Sequence, residues 1–221
     1  MADITVPFSA LVCSKRNSGK SVLVKYLLCE LLKQKKITFA VVFSNTAEYS
    51  ADWDCLPKSN RVQGFDEETL RRIVDSQKGK KAQILDGKKV ALPQVLLIFD
   101  DVAGMEDFKT SSIIEEIYSN SRHWGISVIT LVQYSKYITP ACRGNADYIY
   151  IGINGDQSLA ALYEVVIYEG NKKDFKKFVA EHTTDFFMLR YDNLKREGNL
   201  WSKIRAPLVN FQVKCKMPIE E

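Results

Sequence analysis

The stretch FSALVCSKRNSGKSVLVKYLLCELLK, residues 8–33, decides the fold. Its apolar opening, Phe8 to Cys13, reads as a buried strand. The segment Gly19 to Gln34 carries apolar residues three and four apart, the spacing of a helix with one buried face. Between them, Ser14 to Ser21 spell Ser-Lys-Arg-Asn-Ser-Gly-Lys-Ser. Strand, turn and helix in that order are the setting of a P-loop, whose backbone amides converge on phosphate oxygens at the positive end of a helix. Ser14, Lys15, Arg16, Asn17 and Ser18 form the body of the loop, and Gly19 lets the backbone come close to the ligand. Lys20 is then set to reach the β- and γ-phosphates, and the Ser21 hydroxyl to ligate magnesium. Ser14 stands where the pattern G-x-x-x-x-G-K-S has its first glycine, so the loop closes less freely. The plainer alternative is an ordinary Ser-Gly turn at a helix start.

Working outward, short β-branched apolar runs alternate with helix-length amphipathic segments, the pattern of βαβ units and a mostly parallel sheet. Further strands are expected at Ile37 to Phe43, Val95 to Phe99, Ile126 to Leu131, Tyr148 to Ile151 and Phe186 to Arg190. Further helices are expected at Asp66 to Ser76, Thr110 to Arg122, Asp156 to Tyr168 and Lys172 to His182. Residues 44–60 and 77–93 read as loops. The 221 residues suit one α/β domain, with the motifs in 8–155 and weaker periodicity from Asn193 onward.

The strand Val95 to Phe99 runs into Asp100 and Asp101, at the carboxyl edge where open α/β sheets bind ligands. Two adjacent acids there can divide the work: Asp100 holds the magnesium shell, and Asp101 orients and deprotonates an attacking water. Asp101 as a simple turn cap is the alternative. One βα unit later Gln133 closes the run ISVITLV, where a polar side chain can sense the γ-phosphate. A P-loop, a tandem-acid strand and a sensor strand belong together in ATPases that insert a strand between the first two.

Composition narrows the classes. The 31 basic and 27 acidic residues leave a net charge of only +4, so nucleic-acid binding rests on local clusters. The lysines at 78, 80, 81, 88 and 89 are one such cluster, and Lys172, Lys173, Lys176 and Lys177 another; either could meet DNA phosphates. Asp3 stands where a signal peptide carries Lys or Arg, and no apolar run is long enough for a membrane span. Five scattered cysteines, with no Cys-x-x-Cys pair, argue against a disulfide framework or zinc site and for a reducing compartment.

The runs LVCSKRNSGKSVLVKYLL, VLLIFDDV, SRHWGISVITLVQ and ITPACRGNADYIYIG resemble, in order and spacing, the packaging ATPases of poxvirus-like and related large DNA viruses, within the FtsK/HerA group of translocases. The resemblance covers roughly residues 8–155. It implies a RecA-like core with strand order 5-1-4-3-2 and helices on both faces. It also implies ATP and magnesium, a homo-oligomeric ring, and movement of double-stranded DNA into a preformed capsid. A capsid or virion membrane protein is then the expected further partner, and the virion or a viral factory in the host cytoplasm the expected location. On this footing Lys20, Ser21, Asp100, Asp101 and Gln133 take the roles given above. Arg122, before the sensor strand, matches an arginine that reaches a neighbour's ATP, and Arg143 is a second candidate.

Two other functions compete. Asp101-Val102-Ala103-Gly104 matches the D-x-x-G of a GTPase switch, and Asn171-Lys172-Lys173-Asp174 the guanine-reading N-K-x-D. A non-catalytic nucleotide-binding scaffold is the other.

Overall fold

The computed structural model describes residues 4–215. Their centre is one eight-stranded sheet built from β1 (Ser9–Cys13), β2 (Phe39–Ser44), β3 (Arg61–Gln63), β4 (Val95–Asp100), β5 (Ile126–Val132), β6 (Tyr148–Ile151), β7 (Met188–Asp192) and β8 (Trp201–Ile204). The spatial order is β3-β2-β4-β5-β1-β6-β7-β8. The pairings from β3 to β6 are parallel, and β7 and β8 add antiparallel to the far side. Leaving out the three-residue β3, the strands from β2 to β6 follow the expected order 5-1-4-3-2 when numbered along the chain.

Alternation along each strand divides the interior into two layers. Leu11 and Cys13 of β1, with Val41, Leu97 and Val128, face one way. They meet α2 (Glu67–Leu85), α4 (Ser112–Asn120), α6 (Asp156–Tyr163) and α7 (Lys172–His182) through Ile73, Ile117, Leu162 and Phe175. Ala10, Val12, Val42 and Ile98 face the other way, onto Leu23, Leu27 and Leu31 of α1 (Lys20–Lys33). Central strands covered on both faces must be apolar throughout, which is why they read as continuous runs in the sequence. The chain after β8 completes the α1 face. Ala206, Phe211 and Val213 pack there, the Val213 amide donates to Cys55 O at 2.7 Å, and Asn60 donates to Cys215 O.

Several boundaries differ from expectation. Helix α2 continues nine residues past Ser76, so Lys78, Lys80 and Lys81 lie on it rather than in a loop. Tertiary contact overrides the weak local signal there: the buried Gln77 amide donates to both Pro93 O and Trp124 O at 2.8 Å, and Lys78 pairs with Glu116. The helix expected to run to Arg122 ends at Asn120, and Arg122 lies in a 3-10 turn, Ser121–Trp124. Helix α6 stops at Tyr163, ahead of the poorly helical run Val165-Val166-Ile167. Strand β7 begins at Met188, because Asp185 and Phe186 take left-handed backbone conformations no strand accommodates. Two short helices, α3 (Glu106–Thr110) and α5 (Pro140–Gly144), and the edge strands β3 and β8 had no periodicity to announce them.

The amino ends of β1 and β6 are pinned by one buried carboxylate. Asp147 accepts from the Ser9 amide at 2.8 Å and the Ser9 hydroxyl at 3.1 Å, and its other oxygen accepts from Arg122 at 3.0 Å. Asp147→Ala should lower the free energy of unfolding by about 2–3 kcal/mol, since it strips a charged acceptor from buried donors. Arg122→Ala should cost less than about 1 kcal/mol, because its side chain is half exposed and Asp147 keeps Ser9. Urea titrations of the two variants check both values.

Candidate nucleotide-binding site

The P-loop leaves β1 at the carboxyl edge of the sheet. Asn17 and Gly19 take left-handed backbone conformations, and the Ser18 hydroxyl ties the turn to Lys15 O at 2.6 Å. Among the described residues, the amides from Arg16 to Ser21 carry no hydrogen bond, so a row of donors stands free at the start of α1. The buried Lys20 ammonium folds back into the loop and donates to Ser14 O at 3.0 Å and Lys15 O at 2.9 Å. Burial holds it below the usual lysine value, and the carboxylates of Asp101 and Asp100 oppose that shift. A triphosphate would replace two carbonyl dipoles with full negative charge around this cation.

Ser14 is fully buried, and its hydroxyl donates to Ile153 O. Room for it comes from across the strand pair. A Cβ on Gly152 would clash with Ser14 Oγ. The glycine missing from the loop is thus made up on the facing β6 end, a compensation too distant in sequence to read from the motif.

The acids stand at the same sheet edge, two strands away. Asp100 ends β4 with little exposure, and its Oδ2 accepts from the Trp53 indole at 2.8 Å. Burial raises its carboxyl to about 6; the Trp53 N–H works against the rise and the neighbouring Asp101 adds to it. Asp101 is exposed, in a left-handed conformation, with its carbonyl held by the Asn45 amide at 3.1 Å and its amide donating to Leu131 O. Its Oδ2 accepts from Gln133 Nε2 at 2.5 Å. The proposed base and the proposed sensor are therefore already in contact. Sequence reasoning missed Trp53 and Asn45, since neither shares a motif with the acid it touches.

Magnesium fits this donor set. Asp100 Oδ1 makes no hydrogen bond among the described residues, nor does the Ser21 hydroxyl, and hard oxygen donors suit that ion. No cluster of three or more His, Cys, Asp or Glu side chains able to hold a metal occurs among the described residues.

The two arginines separate. Arg122 precedes β5, so it lies at the amino edge of the sheet, opposite the P-loop. Arg143 of α5 is buried, and its guanidinium donates to the carbonyls of Ser135 and Ile138, anchoring the turn that follows Gln133. Held there, it does not extend toward a neighbouring molecule, which corrects the expectation of a finger role for it. The guanine-reading match also dissolves. Asn171 caps α7 in a reciprocal capping box with Asp174 and follows no strand.

A P-loop on a sheet of this order, with tandem acids and a glutamine at the ends of adjacent strands, defines a P-loop NTPase fold of the RecA-like type. The chain matches the model of the family described as "Poxvirus A32 protein" over residues 4–199, and it belongs to that family. Protein 075L of Invertebrate iridescent virus 6 is 27% identical over 196 residues, covering 86% of this chain and 72% of that protein. The genome packaging NTPase B204 of Sulfolobus turreted icosahedral virus 2, solved with AMPPCP, superposes with a TM-score of 0.63 at 19% identity, over 92% of this chain and 100% of that one. The pCW3 conjugation coupling protein TcpA, solved with ATPγS, gives 0.61 at 17% identity, over 91% of this chain and 60% of that one.

If Gly152 is what accommodates Ser14, Gly152→Ala should destabilise the protein by roughly 1–3 kcal/mol as an overpacked contact. Adding Ser14→Gly should recover most of that loss. Thermal melts of the single and double variants measure the coupling, and strict additivity would show the two residues to be independent.

Proposed function

We propose that this protein is an ATP-driven motor that moves double-stranded DNA into a preformed viral capsid, working as a homo-oligomeric ring. The observation that carries the reading is the contact between Gln133 and Asp101 at the edge that also bears Lys20 and Asp100. A catalytic acid joined to a residue on the adjacent strand suits a machine that must couple hydrolysis to movement, because loss of the γ-phosphate can be felt through one hydrogen bond. Membership of the poxvirus A32 family and the shared fold with a viral genome packaging NTPase support the cargo. Where the ring meets a capsid or virion membrane protein, that partner lies in the virion or viral factory; no helix among the described residues is long and apolar enough to cross a membrane.

In this reading the free amides from Arg16 to Ser21 and the Lys20 ammonium grip the phosphates. Asp100 and Ser21 hold magnesium, which neutralises charge building on the phosphate oxygens. Asp101 takes the proton of the attacking water, oriented with the help of Gln133. Arg122 lies at the far edge from its own loop, so it can act only on a neighbour's ATP. The lysines of α2 and of the following loop, near that same edge, are the better candidates for DNA phosphates, because much of the second cluster is spent on ion pairs with Glu164, Asp156 and Glu181.

Long double-stranded DNA should stimulate ATP hydrolysis at low salt, and less so at physiological salt. Indifference to DNA under conditions where rings form would favour a nucleotide-binding scaffold, and clear preference for GTP would favour a switch. Arg122→Ala should still bind ATP but hydrolyse it about 10³-fold or more slowly. Mixing it with Lys20→Ala should restore part of the rate through shared interfaces; co-assembled mixtures that stay inactive would remove the trans role.

The Asp100 carboxyl, raised to about 6, adds a pH dependence. Metal ligation needs the ionised form, so magnesium-dependent nucleotide binding should hold above pH 7 and weaken by up to about tenfold per unit below 6. The sign on stability is opposite. A carboxyl with a raised value is a cost to the metal-free fold when ionised, and that cost is relieved as pH falls from 6 toward the unfolded value. Asp100→Asn should bind the magnesium complex weakly at every pH, which titration by fluorescence polarisation can test.

A further inference from the structure

Beside the P-loop lies a cavity of about 720 Å³ that the catalytic reading does not use. Its inner wall is Val22 and Leu23 of α1, its floor Met188 of β7, and its outer wall Ile204 and Ala206, where the chain leaves β8. Asn17 and Gly19 of the phosphate loop form part of its rim, so the space is continuous with the row of free amides. Its size is that of a small-molecule pocket, and its lining is mostly apolar.

Phe186 stands at the entrance. The residue is 62% exposed, although its side chain is a large apolar group. Its Cδ1 lies 3.6 Å from where a Cβ on Gly19 would sit, so the ring rests on the loop itself. Both Phe186 and the preceding Asp185 have left-handed backbone conformations, with φ of 61° and 53°. Left-handed geometry is sparsely populated by bulky residues, and two in succession without glycine are an outlier of the kind found at ligand clamps. The turn sets an aromatic face in water at the mouth of an apolar cavity, next to the phosphate site. On the other side of the ring is a smaller cavity of about 360 Å³, lined by Lys15, Arg16, Ser18 and Asp185 together with Ile153 and Phe187. At half the volume of the first, and with Lys15, Arg16 and Asp185 all on its wall, it is the less suited of the two to a flat, neutral group.

We propose that the larger cavity takes the purine base of the bound nucleoside triphosphate, with Phe186 as the aromatic platform on which the base stacks. The inference rests on the P-loop reading, because it is the grip on the phosphates that brings the base to this mouth. Recognition is by stacking and apolar contact, while the phosphates are held independently by the loop.

Equilibrium binding of MgATP and of magnesium tripolyphosphate, measured by calorimetry on the full chain, separates the two halves of the site. Phe186→Ala should weaken ATP roughly 5- to 150-fold, the range of base–aromatic stacking, and leave tripolyphosphate within about twofold of its original affinity. Ala206→Phe, which projects a ring into the cavity, should cause the same selective loss. Phe186→Leu keeps apolar bulk at the mouth and serves if the alanine variant loses tripolyphosphate binding through misfolding; it too should weaken ATP selectively. Equal affinity of the original protein for ATP and tripolyphosphate, or variants that leave ATP binding intact, would overturn the proposal. Lys20→Ala should weaken both ligands; if it weakens neither, it is the P-loop reading that fails.

Discussion

The chemistry of this fold depends on register. Strands β1, β5 and β4 run parallel and in step, Cys13 opposite Val132 and Asp100 opposite Leu131, so three chain segments leave the sheet at one edge. The residues that follow, Ser14, Gln133 and Asp101, are placed there by backbone pairing rather than by contacts of their own. Slipping β4 by one residue would turn Asp100 to the opposite face and bury a charge in an apolar layer. The apolar alternation of Leu96, Leu97, Ile98 and Phe99 forbids it, since each has its own layer to fill. Packing in the core is thus what holds the carboxylates beside the phosphate loop.

Sequence reading captures what is local and periodic. The P-loop, the tandem acids and the strand that ends in Gln133 could be named because each couples a continuous apolar run to polar residues at its end. The strand order followed from the family likeness, and the parallel pairings agree with it. What escaped was what long-range contact decides. Trp53 reaches Asp100 across 47 positions, and Asn45 holds Asp101 across 56. Gly152 makes space for Ser14, a relation invisible in a motif that simply lacks a glycine. Gly79 and a run of lysines made the end of α2 look like a loop, while the helix is docked by one buried glutamine. Phe186 and Phe187 read as the start of a strand because their composition is that of one, whereas β7 begins at Met188.

The two arginines show how burial sorts residues that sequence treats alike. Both lie near β5, one before it and one after. Arg143 points inward to two carbonyls, and desolvation lowers its pKa below the ordinary guanidinium value, against the pull of Glu164 and other groups. It serves the shape of the turn. Arg122 keeps nearly half its side chain in water and is held by one oxygen of Asp147, whose other oxygen is engaged by Ser9. It can move without disturbing the Ser9 contacts of that carboxylate, whereas Arg143 is fixed within its turn.

The segment after β8 gives the molecule a girdle. It leaves the last strand at one margin of the sheet, crosses the α1 layer through Ala206 and Phe211, and is fastened near the other margin by Val213 on Cys55 and by Asn60 on Cys215. Edge strands as short as β3 and β8 would otherwise fray separately, each held by a single neighbour. Belted together, the two margins depend on a common segment, so its loss would withdraw support from both at once.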